Sequence, residues 1–391
     1  MKKYVLLTSI ILSILFMPFT VFGEENGKGN TDQDLNLVPD AESGILMERD
    51  TGKVLFNKNA QEKLPPASMT KVMTLLLIME ALDKGKIDKN ETIRISDRAA
   101  SMGGSQIFLE AGEEMSVNDL LKGIAVASAN DASVALAERI AGSEKAFVKQ
   151  MNKKTKALGL ENTRFRNATG LPAEDHYSTA HDMAVMAKEL LKYESVTEYT
   201  SIYEDYLRKG EENEFWLVNT NKLVKSYPGV DGLKTGYTNE AKYCLTATAE
   251  KNNMRMIAVV MGAETTKKRN AAISGMLDYA FNHFETKNLY KKGETITTLD
   301  LLRAENATVD VTASESISTI HRKGEDDKDL TTSVNIKSDI GLPINKGDQV
   351  GELIIKSNGK TLSKTPLTVD HDVQQASYLT LLKRAAQNMV N

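Results

Sequence analysis

The chain has 391 residues, 41% apolar and 26% charged, an ordinary globular composition that excludes wholesale disorder and leaves room for two or three domains. Its 49 basic and 53 acidic side chains leave a net charge of −4, so there is no electrostatic footprint for nucleic acid. One cysteine, Cys244, and five histidines exclude an internal disulfide and leave little material for a metal centre.

Met1-Lys2-Lys3 is a basic start, and Val5 to Phe22 is almost wholly apolar, broken by Pro18 and ending on Val21-Phe22-Gly23. This is the three-part pattern of a secretory signal peptide, expected to span residues 1–23. The alternative is an uncleaved anchor, since the run approaches the ~18 residues that a span needs. Pro18 and the small-residue end favour cleavage, and with it a mature protein working outside the cytoplasm. Residues 24–40 are polar, carry Gly27 and Gly29, and read as a flexible leader. Ser43–Glu48 and Lys53–Phe56 read as strands joined by the turn Asp50-Thr51-Gly52. Val72 to Leu82 is apolar nearly all round, the pattern of a helix buried in a domain centre. Helical patterning continues from Val117 to Ile140 and from Asp182 to Leu191. Strands are expected over Tyr243–Ala249 and Met254–Gly262, then a helix over Ala271–Phe284. Strands, helices, then strands and a helix predict an α/β or α+β layered domain over residues 41–288. Residues 289–371 are rich in Thr, Val and Ile with turn signals, and read as a small all-β domain. Residues 372–391 read as an amphipathic helix, with Tyr378, Leu379, Leu382, Ala385, Ala386 and Met389 on one face.

Three short motifs carry the chemistry. Ser68-Met69-Thr70-Lys71 opens the buried helix, and a three-residue spacing brings hydroxyl and amine within reach of each other. A serine is a poor nucleophile until a base takes its proton. Lys71 can be that base only with a depressed pKa, which burial and a second cation would supply. A shift of three units corresponds to about 4 kcal/mol. The pattern recurs at Ser357-Asn358-Gly359-Lys360 in a loop, so context separates the two copies. Ser128-Ala129-Asn130 falls at a break between helical stretches, where Ser128 can relay a proton and Asn130 can hold Lys71 or a substrate carbonyl. Ser-x-Asn also occurs at Ser116, read as a helix N-cap, and at Ser333, read as a strand residue. Lys234-Thr235-Gly236 reads as part of a strand edge. Lys234 and Thr235 suit a carboxylate-ended substrate, and Gly236 lets backbone come close.

The conjunction in this order is the signature shared by penicillin-binding proteins and class A β-lactamases. The sequence resembles the low-molecular-mass penicillin-binding proteins, specifically the serine-type D-Ala-D-Ala carboxypeptidases, from Ala41 to the C-terminus. Pro65 to Lys71, Gly103-Gly104-Ser105, Asn167 to Leu171, His176 to Thr179, Asn219-Thr220-Asn221 and Tyr227 to Gly236 carry that resemblance. It implies a β-lactamase/transpeptidase-like catalytic domain and attack by Ser68 on the penultimate D-Ala carbonyl of a peptidoglycan stem pentapeptide. It further implies Lys71 as base, Ser128 as relay, and Asn130 as positioning group. Lys234, Thr235 and Arg269 would take the terminal carboxylate, Gly236 would lie beside the substrate, and the N–H groups of Ser68 and Tyr237 would form the oxyanion hole. No metal or cofactor takes part in this resemblance, β-lactams act as covalent inhibitors, and the terminal helix attaches the enzyme to the outer face of the cytoplasmic membrane, the alternative being a helix packed on the β domain. Members of the family trim vegetative or spore-cortex wall, and the sequence leaves a sporulation role and endopeptidase preference open. Lys242 stands where many relatives carry glycine, which bears on the local strand geometry. His176 and His181 read as structural and Cys244 as a buried core thiol.

Three rivals fare worse. A class A β-lactamase needs a Glu-x-x-x-Asn segment between the second and third motifs, and no glutamate from Glu138 to Glu214 has asparagine four residues on. A β-lactam sensor needs a membrane span, and no apolar run after Phe22 is long enough. A silent wall-binding module would be expected to lack Ser68, Lys71 or Lys234, and all three stand.

Overall fold

A computed structural model describes residues 35–325, 330–357 and 359–388. The signal peptide and most of the leader lie outside the described residues, as does Met389. In chain order the elements are β1 (Ser43–Glu48), β2 (Val54–Lys58), a 3₁₀ turn (Ala67–Thr70), α1 (Lys71–Asp83), β3 (Thr92–Arg94), α2 (Asp97–Ala100), β4 (Glu114–Ser116), α3 (Val117–Ala127), α4 (Asn130–Ala141) and α5 (Glu144–Ala157). There follow α6 (Ala180–Leu190), α7 (Val196–Thr200), β5 (Glu204–Leu207), β6 (Phe215–Val218), α8 (Leu223–Ser226), β7 (Val230–Thr238), β8 (Lys242–Lys251), β9 (Met254–Ala263) and α9 (Thr266–His283).

The catalytic part is built on one antiparallel sheet of order β2-β1-β9-β8-β7. Its inner strands β8 and β9 are buried on both faces over most of their length; β9 reads as a near-continuous apolar run, and β8 alternates apolar residues with the buried Thr246 and Thr248. Helix α1 is apolar all round because it is surrounded: Val72, Met73, Leu75, Leu76 and Ile78 are fully buried. Ser116 caps α3, accepting from the Asp119 N–H, as its sequence context predicts. The expected helical stretch from Val117 to Ile140 is two helices, α3 and α4, with the break at Ser128. Helix α9 begins at Thr266, earlier than its apolar pattern indicates, because the Thr265 side chain accepts from the Lys268 N–H and starts it.

The C-terminal part is all β, as expected. A two-stranded pair joins β10 (Phe284–Tyr290) to β13 (Ile317–Arg322), and a five-stranded sheet has the order β11-β12-β16-β15-β14. The members of that sheet are β11 (Thr295–Asp300), β12 (Thr308–Ala313), β14 (Leu330–Ile336), β15 (Gln349–Ser357) and β16 (Lys360–Thr368). Val309, Val311, Leu353, Ile355 and Leu367 form its own core. In the second Ser-x-x-Lys copy Ser357 ends β15 and Lys360 begins β16, so it joins two strands rather than opening a helix. The terminal helix α10 (Tyr378–Asn388) is tied down on its polar side, where Arg384 donates to the carbonyls of Leu302, Ala304 and Glu305 at 3.0, 2.7 and 2.5 Å. Its apolar side faces outward, with Tyr378, Leu379 and Leu382 at 76%, 77% and 50% exposure. Among the described residues no helix is long and apolar enough to cross a membrane.

Candidate active site

The 3₁₀ turn sets Ser68 at the mouth of the buried helix. Ala67 takes φ +48°, a left-handed conformation unfavourable for a side-chain-bearing residue. Two glycines make the turn fit. A Cβ on Gly170 would lie 1.8 Å from the Ala67 carbonyl oxygen, and one on Gly236 would lie 2.7 Å from that of Pro66. The Lys-Thr-Gly strand therefore abuts the nucleophile turn, with Gly236 against Pro66 and Met69. That strand, β7, is the edge of the sheet.

Lys71 is fully buried, and its Nζ has three neighbours: Asn130 Oδ1 at 2.6 Å, the Thr169 carbonyl at 2.7 Å and Ser68 Oγ at 3.3 Å. The amide of Asn130 is oriented by its Nδ2, which donates to Gly103 O at 2.7 Å. Burial pushes Lys71 well below the ordinary lysine range, Lys234 adds repulsion, and Asp131 partly opposes both. In the neutral amine two N–H bonds satisfy the two oxygens that cannot donate. The remaining lone pair then faces Ser68.

Ser128 sits in the break between α3 and α4 at φ +64° and is 3% exposed. Its Oγ has no hydrogen-bond partner among the described residues. Such a group ordinarily costs 1–3 kcal/mol, which marks it as held for something other than stability. Asp131, next along, accepts from the N–H groups of Ile107 and Leu109 and so clamps the loop that follows Gly103-Gly104-Ser105.

On the opposite wall Lys234 is 1% exposed and donates to Thr235 O at 3.1 Å. Burial lowers it to about 7, with repulsion from Arg269 contributing. Thr235 Oγ1 donates to Thr220 Oγ1 at 2.7 Å. Arg269 is 4% exposed and lowered to about 10 by burial. It donates to Asn270 Oδ1, so it reaches the site through its field on Lys234. The Tyr237 ring is half exposed and lies 4.5 Å from that of Tyr243. Lys242 adopts φ +54°, the conformation that glycine favours, and the β7–β8 register runs unbroken from Gly232 to Thr238 beside it.

Several contributors were not legible in sequence. The Thr169 carbonyl touches Lys71 through main chain, which no side-chain motif advertises. Asn167 Oδ1 holds that segment by accepting from Thr169 N and Gly170 N at 3.1 and 2.7 Å. His176 is buried, and its Nδ1 accepts from Arg166 N, which makes Nε2 the donor to Thr70 Oγ1 at 2.9 Å, inside the nucleophile turn. Burial and Arg166 lower His176 to about 4. His181 Nδ1 lies 3.2 Å from a carboxylate oxygen of the adjacent Asp182. Cys244 is buried, as expected, its thiol pushed up to about 11 by burial.

The family model for D-alanyl-D-alanine carboxypeptidase matches residues 30–265. The chain belongs to that family. The model for the penicillin-binding protein 5 C-terminal domain matches residues 284–375. The D-alanyl-D-alanine carboxypeptidase DacF of Bacillus subtilis is 55% identical over 97% of each chain. DacC of Escherichia coli is 36% identical over 87% of this chain and 86% of its own. Penicillin-binding protein 5 from Haemophilus influenzae superposes with a TM-score of 0.66 at 31% identity, covering 86% of this chain and 98% of that one. Penicillin-binding protein D2 from Listeria monocytogenes, solved in the ampicillin-bound form, matches with a TM-score of 0.56 at 32% identity over 62% and 98%. The protein is a serine D-Ala-D-Ala carboxypeptidase, a cell-wall hydrolase of the penicillin-binding class.

Proposed function

We propose that Ser68, Lys71 and Ser128 carry out the carboxypeptidase reaction on the stem pentapeptide of peptidoglycan. The observation that carries this assignment is the trio of contacts at Lys71 Nζ, which leaves the amine one free direction, toward Ser68 Oγ. Neutral Lys71 takes the Ser68 proton as Oγ attacks the penultimate D-Ala carbonyl. The N–H groups of Ser68 and Tyr237 stabilise the oxyanion, where one such donor is worth roughly 3 kcal/mol. The C–N bond then breaks, and Ser128, with its unpartnered hydroxyl, passes the proton from Lys71 to the departing D-Ala amine. Lys234 and Thr235 hold the terminal carboxylate, with Arg269 acting behind Lys234. Water hydrolyses the acyl-enzyme by the reverse proton path. A β-lactam forms the same ester with Ser68 and stalls there.

The enzyme works outside the cytoplasm after removal of residues 1–23, and α10 attaches it to the membrane surface. The outward apolar face of α10 supports the attachment. Incubating the 24–391 fragment with a stem pentapeptide tests the assignment: D-Ala is released, and Ser68→Ala abolishes both release and penicillin labelling. Rapid penicillin turnover without D-Ala release would overturn it in favour of a β-lactamase.

A further inference from the structure

The hairpin β5–β6 carries two aromatic side chains that the reaction does not use. Tyr206 and Trp216 are directly opposed cross-strand partners, 42% and 55% exposed. Directly opposed side chains stand about 5 Å apart on one face of a strand pair. Leu207 and Leu217 are buried by the opposite face of the hairpin, so its orientation is fixed by the core.

The hairpin is also held by charge. Arg208 donates to Glu113 at 2.6 and 3.0 Å and to Ile107 O at 3.1 Å, and Lys122 pairs with Asp205 at 2.8 Å. Beside it Phe108, 66% exposed and at φ +56°, packs edge-on against Phe215 with centroids 5.6 Å apart. A bulky residue in that conformation is strained and needs its surroundings to hold it. The clamp from Asp131 on Ile107 and Leu109 is what does so, one residue beyond Asn130.

The end of the hairpin lies near the active site. Strand β6 runs on into Thr220, whose hydroxyl bonds Thr235, and Trp216 precedes Thr220 by at most about 14 Å of chain. A pair of rigid, exposed rings with one polar edge each suits a ligand that is apolar on its ring face and polar at its rim. We propose that Tyr206 and Trp216 form a stacking platform for the glycan strand that bears the stem peptide, so that the enzyme reads saccharide as well as peptide. This rests on the carboxypeptidase assignment above and adds a second recognition surface to it.

Trp216 is the only tryptophan, so its fluorescence reports this face alone. The full-length enzyme is titrated with an N-acetylglucosamine tetrasaccharide and, separately, with phospholipid vesicles. Steady-state kinetics then compare a disaccharide-pentapeptide with the free pentapeptide. Trp216→Ala should raise KM for the disaccharide-pentapeptide roughly three- to tenfold with kcat unchanged. KM for the free pentapeptide and the rate of penicillin acylation should stay as they were, and Trp216→Phe should restore most of the loss. Equal KM changes for both substrates, no change for either, or a fluorescence response to vesicles and not to saccharide would each overturn the platform. If the unaltered enzyme released D-Ala from neither substrate, the reaction assignment would fall, and the saccharide titration would still decide this inference.

Discussion

The ammonium of Lys234 lowers the proton affinity of Lys71 across the cleft between β7 and α1. Both lysines are buried, and the charge on one wall of the site adds to burial in keeping the amine on the other neutral. Acylation needs neutral Lys71, so its rate rises with pH through the Lys71 pKa. Removing the neighbouring charge with Lys234→Gln raises that pKa. The acid limb of the penicillin-acylation profile should move to higher pH, measured by stopped-flow labelling. An unmoved limb would mean that Lys234 does not tune the base. In the unaltered enzyme, KM for the carboxylate-ended pentapeptide should rise as pH passes about 7, where Lys234 loses its proton.

Ser128 combines an unsatisfied hydroxyl with a left-handed backbone. Ser128→Ala should raise the melting temperature, because the unpaired hydroxyl is removed, while D-Ala release falls by about two orders of magnitude or more. Ser128→Gly should be equally inactive and more stable than the alanine variant by about 0.5–1 kcal/mol. The left-handed cost of ~1–2 kcal/mol disappears, and the greater freedom of glycine in the unfolded chain takes part of the gain back. Calorimetry on the two variants separates these effects.

At Gly170 the neighbour is backbone, which cannot move aside as a side chain could. Gly170→Ala, at φ +85° and facing the Ala67 carbonyl, should cost several kcal/mol or displace the nucleophile turn. Loss of penicillin labelling in the fraction that still folds would be the sign of a displaced turn. A stable variant that labels at the normal rate would contradict the close approach.

His176 should make the enzyme acid-sensitive. Its folded pKa, about 4, lies below the ordinary 6.5, so the unfolded chain takes the proton first as pH falls. Stability is therefore full above about pH 6.5 and declines as pH falls toward 4, by about 3 kcal/mol in all. His176→Gln should flatten that part of the urea-midpoint profile. An identical slope in the variant would assign the acid loss to other groups.

Deleting residues 372–391 should move the protein from the membrane fraction to the soluble one. Unchanged partitioning would sink the role given to α10.

What the sequence disclosed was chemistry fixed by covalent spacing. Ser68 and Lys71 lie one turn apart wherever that segment is helical, and the order of the three motifs survives any folding. The all-round apolar pattern of α1 and the near-continuous apolar run of β9 likewise follow from burial on every side. What it concealed was set by main-chain contacts and by caps. Thr169 contributes a carbonyl, which every residue has. Helix α5 went unseen because its buried Phe147 and Met151 are isolated among lysines. Lys242 departs from a glycine pattern, yet its backbone does what glycine would do and its side chain pairs with Glu42 at 2.9 Å.

The grip of Arg384 on three carbonyls has a thermodynamic consequence for the far end of the chain. An isolated helix of eleven residues is marginal in water, and most surface-seeking helices must order as they bind. Helix α10 meets any apolar surface already wound and aimed. Its association is then a rigid-body event whose strength comes from a few ring and leucine side chains, so the contact can be fast to form and easy to leave. An enzyme attached in the way proposed can sample many sites along a polymer far larger than itself.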